Sequence, residues 1–140
     1  MPVADGSQVV ATCGGCKPPA IVIVEDEALV ASYIAEVLAG SGYRIAGICA
    51  SAAEALSLAA DKRPDLALID IRLKGPIDGI ETACLLRHRF GIPAIFLSGM
   101  ADPETEAEAQ AAHPLGFLHK PVLPSQVFNA VERALHLLAH

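Results

Sequence analysis

Residues 66–70 read Leu66-Ala-Leu-Ile-Asp70, four apolar side chains followed directly by a carboxylate. A run this short and wholly apolar predicts a strand buried on both faces of a parallel sheet. The β-branched run Ala20-Ile-Val-Ile-Val24 has the same character, and acidic residues follow it at once. Three more segments predict strands, over residues 43–48, 93–97 and 116–118. The sequence therefore predicts five strands, two of which lead directly into carboxylates.

The segments between these strands predict helices. Apolar residues recur at helical spacing over about residues 29–39, 52–61 and 79–90. Ser51 is the predicted N-cap of the second helix, with Glu54 completing a capping box. A short acidic fourth helix is predicted to have Asp102 as its N-cap, and a fifth helix to be capped by Ser125. Strands alternating with helices at this spacing predict a doubly wound α/β fold, with helices on both faces of a five-stranded parallel sheet and right-handed crossovers.

The composition predicts one folded domain over residues 20–140, preceded by a flexible extension over residues 1–19. Hydrophobic residues make up 53% and charged residues 19% of the 140 residues, which is enough for one sizeable core. Little chain remains after the fifth predicted helix, so we expect no output domain. Cys13 and Cys16 have the spacing of half a zinc site or a redox pair, but no second such pair accompanies them, and we interpret them as incidental.

Charge and hydropathy exclude several classes of function. The formal net charge of −6 argues against direct nucleic-acid binding, which needs a basic face. No apolar run approaches the roughly 20 residues of a membrane span, so no membrane partner is expected. The first residues lack the basic start and apolar stretch of a secretory signal. We therefore expect a cytoplasmic protein.

Chemically capable residues follow four of the predicted strands. Glu25 and Asp26 follow the first strand, Asp70 the third, Ser98 the fourth and Lys120 the fifth. In an open α/β sheet the carboxyl ends of the strands form the ligand-binding edge, so these side chains should converge. Clustered carboxylates repel unless a cation is present, and Mg²⁺ prefers such oxygen ligands. A carboxylate can also accept a phosphoryl group, which Lys120 and the Ser98 hydroxyl could contact.

Taken singly, these motifs are ordinary helix starts and turns; taken in order, they resemble a known family. The stretches concerned are Val24-Glu25-Asp26-Glu27, Leu68-Ile-Asp70, Leu97-Ser98-Gly99 and Lys120-Pro121. Together they resemble the ordered signature of response-regulator receiver domains, over about residues 20–138. The resemblance implies a flavodoxin-like (βα)5 sandwich with strand order 2-1-3-4-5, and a cis peptide bond before Pro121.

The resemblance also implies roles for individual residues. Asp70 matches the phosphoacceptor, and Lys120 matches the lysine that contacts the phosphoryl group. Glu25 and Asp26 match the acidic pair that holds Mg²⁺ together with Asp70, and the backbone carbonyl of Arg72 matches a further ligand. The side chain of Arg72 is expected to lie over the phosphoryl site and to tune hydrolysis.

The implied output is a change in a protein-binding face. Ser98 matches the switch hydroxyl and Phe117 the aromatic residue that swings inward on activation. The expected phosphodonor is a histidine kinase or a histidine phosphotransfer protein of a two-component system. The fourth helix, fifth strand and fifth helix would bind a downstream protein, or a second copy of the chain in a homodimer.

Two alternatives remain open at this stage. A pseudo-receiver would keep the fold and bind partners without phosphotransfer. An aspartate-nucleophile phosphatase would place a second aspartate two residues after the nucleophile, where this sequence has Arg72, so we expect no turnover enzyme. The sequence also departs from the commonest receiver pattern, with Glu25 in place of an aspartate and a longer loop over residues 72–79.

Overall fold

The computed structural model describes residues 17–99 and 103–139. Within these ranges five strands alternate with five helices, as the sequence predicts. Their bounds are β1 Ala20–Val24, α1 Ala28–Gly40, β2 Arg44–Cys49, α2 Ala52–Lys62, β3 Leu66–Asp70, α3 Gly79–Phe90, β4 Ala94–Ser98, α4 Pro103–Ala109, β5 Gly116–His119 and α5 Pro124–Leu138. In the described ranges no helix has the length and apolar character needed to cross a membrane.

The strands form one parallel sheet in the order β2-β1-β3-β4-β5. The three inner strands are buried along their whole length, which is why each of them is a nearly continuous apolar run. β2 is an edge strand and is only partly buried. The predicted fold class and strand order are confirmed.

Helices cover both faces of the sheet, and the alternation of side chains along β1 shows how. Ile21 and Ile23 pack with buried residues of α1 and α5, whereas Val22 and Val24 pack with those of α2 and α3. On the second face, α2 contributes the small side chains Ala55 and Ala59. Because the two clusters lie back to back across the sheet, the strand ends are held rigidly.

Several helix ends follow the predicted signals. The Ser51 side chain accepts the N–H of Glu54 at 3.2 Å, and the Glu54 carboxylate accepts the N–H of Ala50 at 2.7 Å. Asp78 caps α3 by accepting the N–H of Glu81 at 2.9 Å. These caps satisfy N–H groups that have no partner within the helix.

Other boundaries differ from the predictions. Ser125 is not the N-cap of α5, which begins one residue earlier, at Pro124. Proline is favoured at the first helical position because its ring already fixes φ, and the Gln126 side chain accepts the N–H of Leu123 at 3.0 Å. β2 begins at Arg44 rather than at residue 43. The predicted N-cap Asp102 lies outside the described residues.

The chain around the predicted extension and after α4 adds two details. The Pro18 carbonyl accepts the Arg44 side chain at 2.7 Å and the Pro19 carbonyl accepts the Arg44 N–H at 3.0 Å, so the hydrogen bonding of the domain reaches back to Pro18. Cys13 and Cys16 lie outside the described residues. After α4, a 3-10 turn ends at His113, whose φ of 51° suits a residue that precedes a proline and avoids helical geometry.

Candidate functional site

The carboxyl ends of the strands bring the predicted site residues to one edge of the sheet. Glu25 and Asp26 leave β1, Asp70 ends β3, and Lys120 follows β5. The cavity above them measures 280 Å³, and it is lined by Asp26, Glu27, Asp70, Arg72, Lys74, Gly99 and Lys120. The convergence follows from the parallel topology, because every strand points its carboxyl end at this edge.

Three carboxylates form the centre of the site. Glu25, Asp26 and Asp70 each offer an oxygen atom, and these atoms all lie within 4.8 Å of one another. The Glu25 side chain is fully buried. Burial raises the pKa of the Glu25 carboxyl, and the charge of Asp70 raises it further, although bonds from Lys120 and from the Glu27 N–H oppose the shift. The site thus concentrates negative charge where water is scarce.

Lys120 is the cation that faces these acids. Its Nζ lies 2.7 Å from Glu25 Oε1, 3.1 Å from Asp70 Oδ2 and 3.4 Å from Glu27 Oε1. Burial lowers the pKa of Lys120, but hydrogen bonds to Glu25 and Asp70, with their charges, more than offset this and raise the pKa above its usual value. The peptide bond between Lys120 and Pro121 is cis, as predicted.

The donor set fits a divalent cation. Glu25 Oε1 is buried and has no hydrogen-bond partner of acceptable geometry, despite the nearby ammonium group. One oxygen of each of the other two acids is fixed by backbone: Asp26 Oδ2 accepts the Lys74 N–H at 3.1 Å, and Asp70 Oδ1 accepts the Arg72 N–H at 2.9 Å. Oxygen-only ligands at this spacing suit Mg²⁺. The role of the Arg72 carbonyl as a further ligand stays a prediction.

The two predicted switch residues lie on neighbouring strands. Ser98 is buried at the end of β4, where its carbonyl accepts the Lys120 N–H at 2.7 Å. Phe117 pairs with Phe96 across the β4–β5 ladder, and their ring centroids are 5.9 Å apart. The Phe117 side chain is only partly buried, at the rim of the core. Both residues are therefore connected to the site through the β4–β5 pair.

Gly79 is a structural residue of the site that the sequence analysis did not identify as such. A Cβ atom at this position would lie 1.9 Å from the carbonyl oxygen of Asp70 and 2.8 Å from Ile71 Cα. The Gly79 N–H also donates to the Ile71 carbonyl at 3.0 Å. The first residue of α3 therefore touches the backbone of the central aspartate. The sequence signal was an Asp-Gly pair at a helix start, which is too common to identify this contact.

Comparison with known proteins identifies the family. The response regulator receiver domain model matches residues 21–132. The chain is 31% identical over 118 residues to the transcriptional regulatory protein PdtaR of Mycobacterium tuberculosis, covering 84% of this chain and 57% of that protein. It is 32% identical over 116 residues to the phyllosphere-induced regulator PhyR of Methylorubrum extorquens, covering 82% of this chain and 43% of that protein. The chain spans about half the length of these curated relatives.

Solved structures agree with this result. A signal receiver domain of a modulated diguanylate cyclase from Desulfovibrio desulfuricans superimposes with a TM-score of 0.80 at 39% identity, covering 85% of this chain and 94% of that one. The receiver domain of NtrX from Brucella abortus gives a TM-score of 0.78 at 27% identity, covering 83% and 98%. The chain belongs to the response-regulator receiver family, the signalling modules of two-component systems.

Proposed function

We propose that this receiver domain accepts a phosphoryl group on Asp70 and uses it to change a protein-binding face. The observation that carries the proposal is the placement of the Asp70 carboxylate in the site cavity, with Lys120 Nζ 3.1 Å from Oδ2 and two more acids within 4.8 Å. No other arrangement of these groups explains why three carboxylates and a lysine surround one buried aspartate.

The attacking atom is an oxygen of Asp70. Its Oδ1 is held by the Arg72 N–H, which fixes the side-chain rotamer and leaves Oδ2 toward Lys120. In the transfer, a carboxylate oxygen bonds to phosphorus while the bond between phosphorus and the donor imidazole nitrogen breaks, and the electron pair of that bond stays with the imidazole. Lys120 then provides positive charge to the phosphoryl oxygens, a role suited to a compact ammonium group.

Magnesium is the proposed cofactor. Glu25, Asp26 and Asp70 would hold the ion, and the residue family and the uncompensated Glu25 oxygen support this assignment. When bound, Mg²⁺ neutralises carboxylate charge and screens that of the arriving phosphoryl group. Glu25 has one methylene more than an aspartate, but it keeps the charge that the cation requires.

The phosphorylated aspartate would be read through β4, β5 and the adjoining helices. Ser98 and Phe117 are the proposed switch residues, because phosphorylation places new charge beside the end of β4. On the same side of the molecule, His119 Nε2 lies 3.0 Å from Glu106 of α4, so β5 and α4 are directly connected. A movement at Ser98 can therefore reach α4 through the end of β5.

The proposed partners are proteins. A histidine kinase or a histidine phosphotransfer protein would supply the phosphoryl group, and α4, β5 and α5 would bind a downstream protein or a second copy of the chain. We propose neither nucleic acid nor membrane as a direct partner of this domain. The protein is proposed to accept and slowly lose its own phosphoryl group, and not to turn over an external substrate.

The test is the intact mass of the protein after incubation with acetyl phosphate, with and without Mg²⁺. We expect a single phosphoryl adduct in the presence of Mg²⁺, and none when the metal is chelated or when Asp70 is replaced by asparagine. A folded protein that forms no adduct under any condition would contradict the proposal and would favour a pseudo-receiver. Steady release of phosphate from a monoester substrate would favour the phosphatase.

A further inference from the structure

Glu27 occupies a position that helix capping does not explain. It is the N-cap residue of α1, with extended backbone geometry, yet its side chain accepts no N–H from the helix. Ser, Thr, Asp and Asn are the side chains that serve well at an N-cap, and glutamate is not among them. The carboxylate instead approaches Lys120, with Oε1 3.4 Å from Nζ. The side chain is 62% exposed, so this orientation is not imposed by burial.

Glu27 also lies at the mouth of the site. It lines the site cavity, and it lines a neighbouring apolar groove of 490 Å³ whose wall includes Leu29, Tyr33 and Pro121. Lys120 is the other residue shared by both cavities. A phosphodonor that enters the site cavity from the groove therefore passes the Glu27–Lys120 pair.

The charges around the site give this pair a consequence. Among the described residues that line the cavity or form the acidic cluster, four carboxylates face three cations, with Glu27 as the carboxylate outside the proposed metal set. Its charge opposes the approach of an anion to Lys120. It also competes with the incoming phosphoryl group for the Lys120 ammonium.

We propose that Glu27 is a specificity-determining residue for the phosphodonor, disfavouring small dianionic donors by repulsion and by holding Lys120. The inference rests on the proposed phosphoacceptor role of Asp70 and deepens it. A docked protein donor brings its own contacts to the neighbouring groove, whereas a small acyl phosphate has only its charged group with which to enter. Glu27 thus restricts phosphorylation by metabolite-sized donors more than phosphorylation by proteins.

Two small donors of different charge separate this effect from a structural one. Acetyl phosphate reacts as a dianion: the Asp70 oxygen bonds to phosphorus, the bond to the acetyl oxygen breaks, and acetate leaves with the electron pair. Phosphoramidate is a zwitterion of net charge −1 near neutral pH, and the same attack breaks its phosphorus–nitrogen bond and releases ammonia. Neither reaction needs an oxidant or a reductant.

The experiment compares wild-type protein, Glu27→Gln and the control Glu36→Gln, which removes the same charge from an exposed position farther along α1. The rate of adduct formation is followed by intact mass with each donor in the presence of Mg²⁺. We expect Glu27→Gln to speed the reaction with acetyl phosphate roughly threefold, from the interaction of a unit charge with a dianion in screened, water-like surroundings. The gain with phosphoramidate should be smaller, and both gains should shrink as salt is added.

The outcomes are separable. An unchanged rate in Glu27→Gln, an equal gain with both donors, or an equal gain in Glu36→Gln would overturn the inference, while the wild-type adduct would still support the role of Asp70. Absence of any adduct from the wild-type protein with both donors would overturn the proposed function, and this inference with it.

Discussion

Replacing Gly79 with alanine tests the contact that joins α3 to the site. The added Cβ would lie 1.9 Å from the Asp70 carbonyl oxygen, and 2.8 Å from both Asp70 C and Ile71 Cα. All three are backbone atoms of a buried strand end, so no side-chain rotation can relieve the clash. Either α3 or the end of β3 must move by about 1 Å to reach even the closest tolerated separation.

The size of the effect follows from that geometry. Forcing extra atoms into a packed interior typically costs roughly 1–3 kcal/mol of the free energy of unfolding. Because the obstacle here is backbone, we expect the upper end, about 3 kcal/mol for Gly79→Ala. Gly47→Ala should cost less, about 1 kcal/mol, because its closest neighbour at 2.3 Å is the mobile end of the Leu58 side chain. Gly40→Ala meets nothing within 4 Å and serves as the control.

Urea unfolding followed by far-ultraviolet circular dichroism measures all three variants. The midpoints should fall in the order Gly40→Ala, Gly47→Ala, Gly79→Ala, with unchanged slopes. The Gly79 variant should also label more slowly with acetyl phosphate, since its Asp70 backbone is displaced. If Gly79→Ala unfolds at the same urea concentration as Gly40→Ala, then α3 does not lie against Asp70 as described and the reasoning is refuted.

Three further predictions concern the metal, the loop and the extension. Because the pKa of Glu25 is raised, the stability associated with its neutral form is present below about pH 4.5 and is lost as pH rises through the raised value; Mg²⁺, which needs ionised ligands, should therefore raise Tm by about 3 °C at pH 7.5 and by much less at pH 4.5, and equal shifts in calorimetry would contradict this. Arg72→Ala should change the lifetime of the phosphoryl group after the donor is removed, because Arg72 lines the site cavity; an unchanged decay of the adduct in mass spectra would count against a role for that side chain. Deleting residues 1–16 should leave the urea midpoint within about 0.5 kcal/mol of wild type, whereas a deletion that extends to residue 19 removes the carbonyls bonded to Arg44 and should lower the midpoint.

The strand positions could be predicted because burial dictates composition. β1 and β4 are buried along their whole length, and β3 is apolar until the aspartate that the site requires. Once the strands were placed, parallel topology alone brought Glu25, Asp26, Asp70 and Lys120 to one edge. Hydrophobic pattern and fold-level geometry therefore determined most of the site.

The details that escaped prediction depend on small or long-range energies. The start of α5 was misplaced because two local preferences, a serine cap and a proline in the first turn, differ by only about 1 kcal/mol, and tertiary context decides between them. The contact between Gly79 and Asp70 joins residues whose approach no periodicity reveals. The orientation of Glu27 toward Lys120 joins residues 93 positions apart and needs side-chain coordinates.

The direct test of the central claim is to locate the phosphoryl group. After labelling with acetyl phosphate and Mg²⁺, borohydride reduction converts a phosphorylated aspartate to homoserine, and tandem mass spectrometry of the peptides identifies the altered position. The account predicts homoserine at position 70 in the labelled protein only, with every other aspartate and glutamate unchanged. Reduction at another carboxylate, or at none in a protein that carries the adduct, would contradict it.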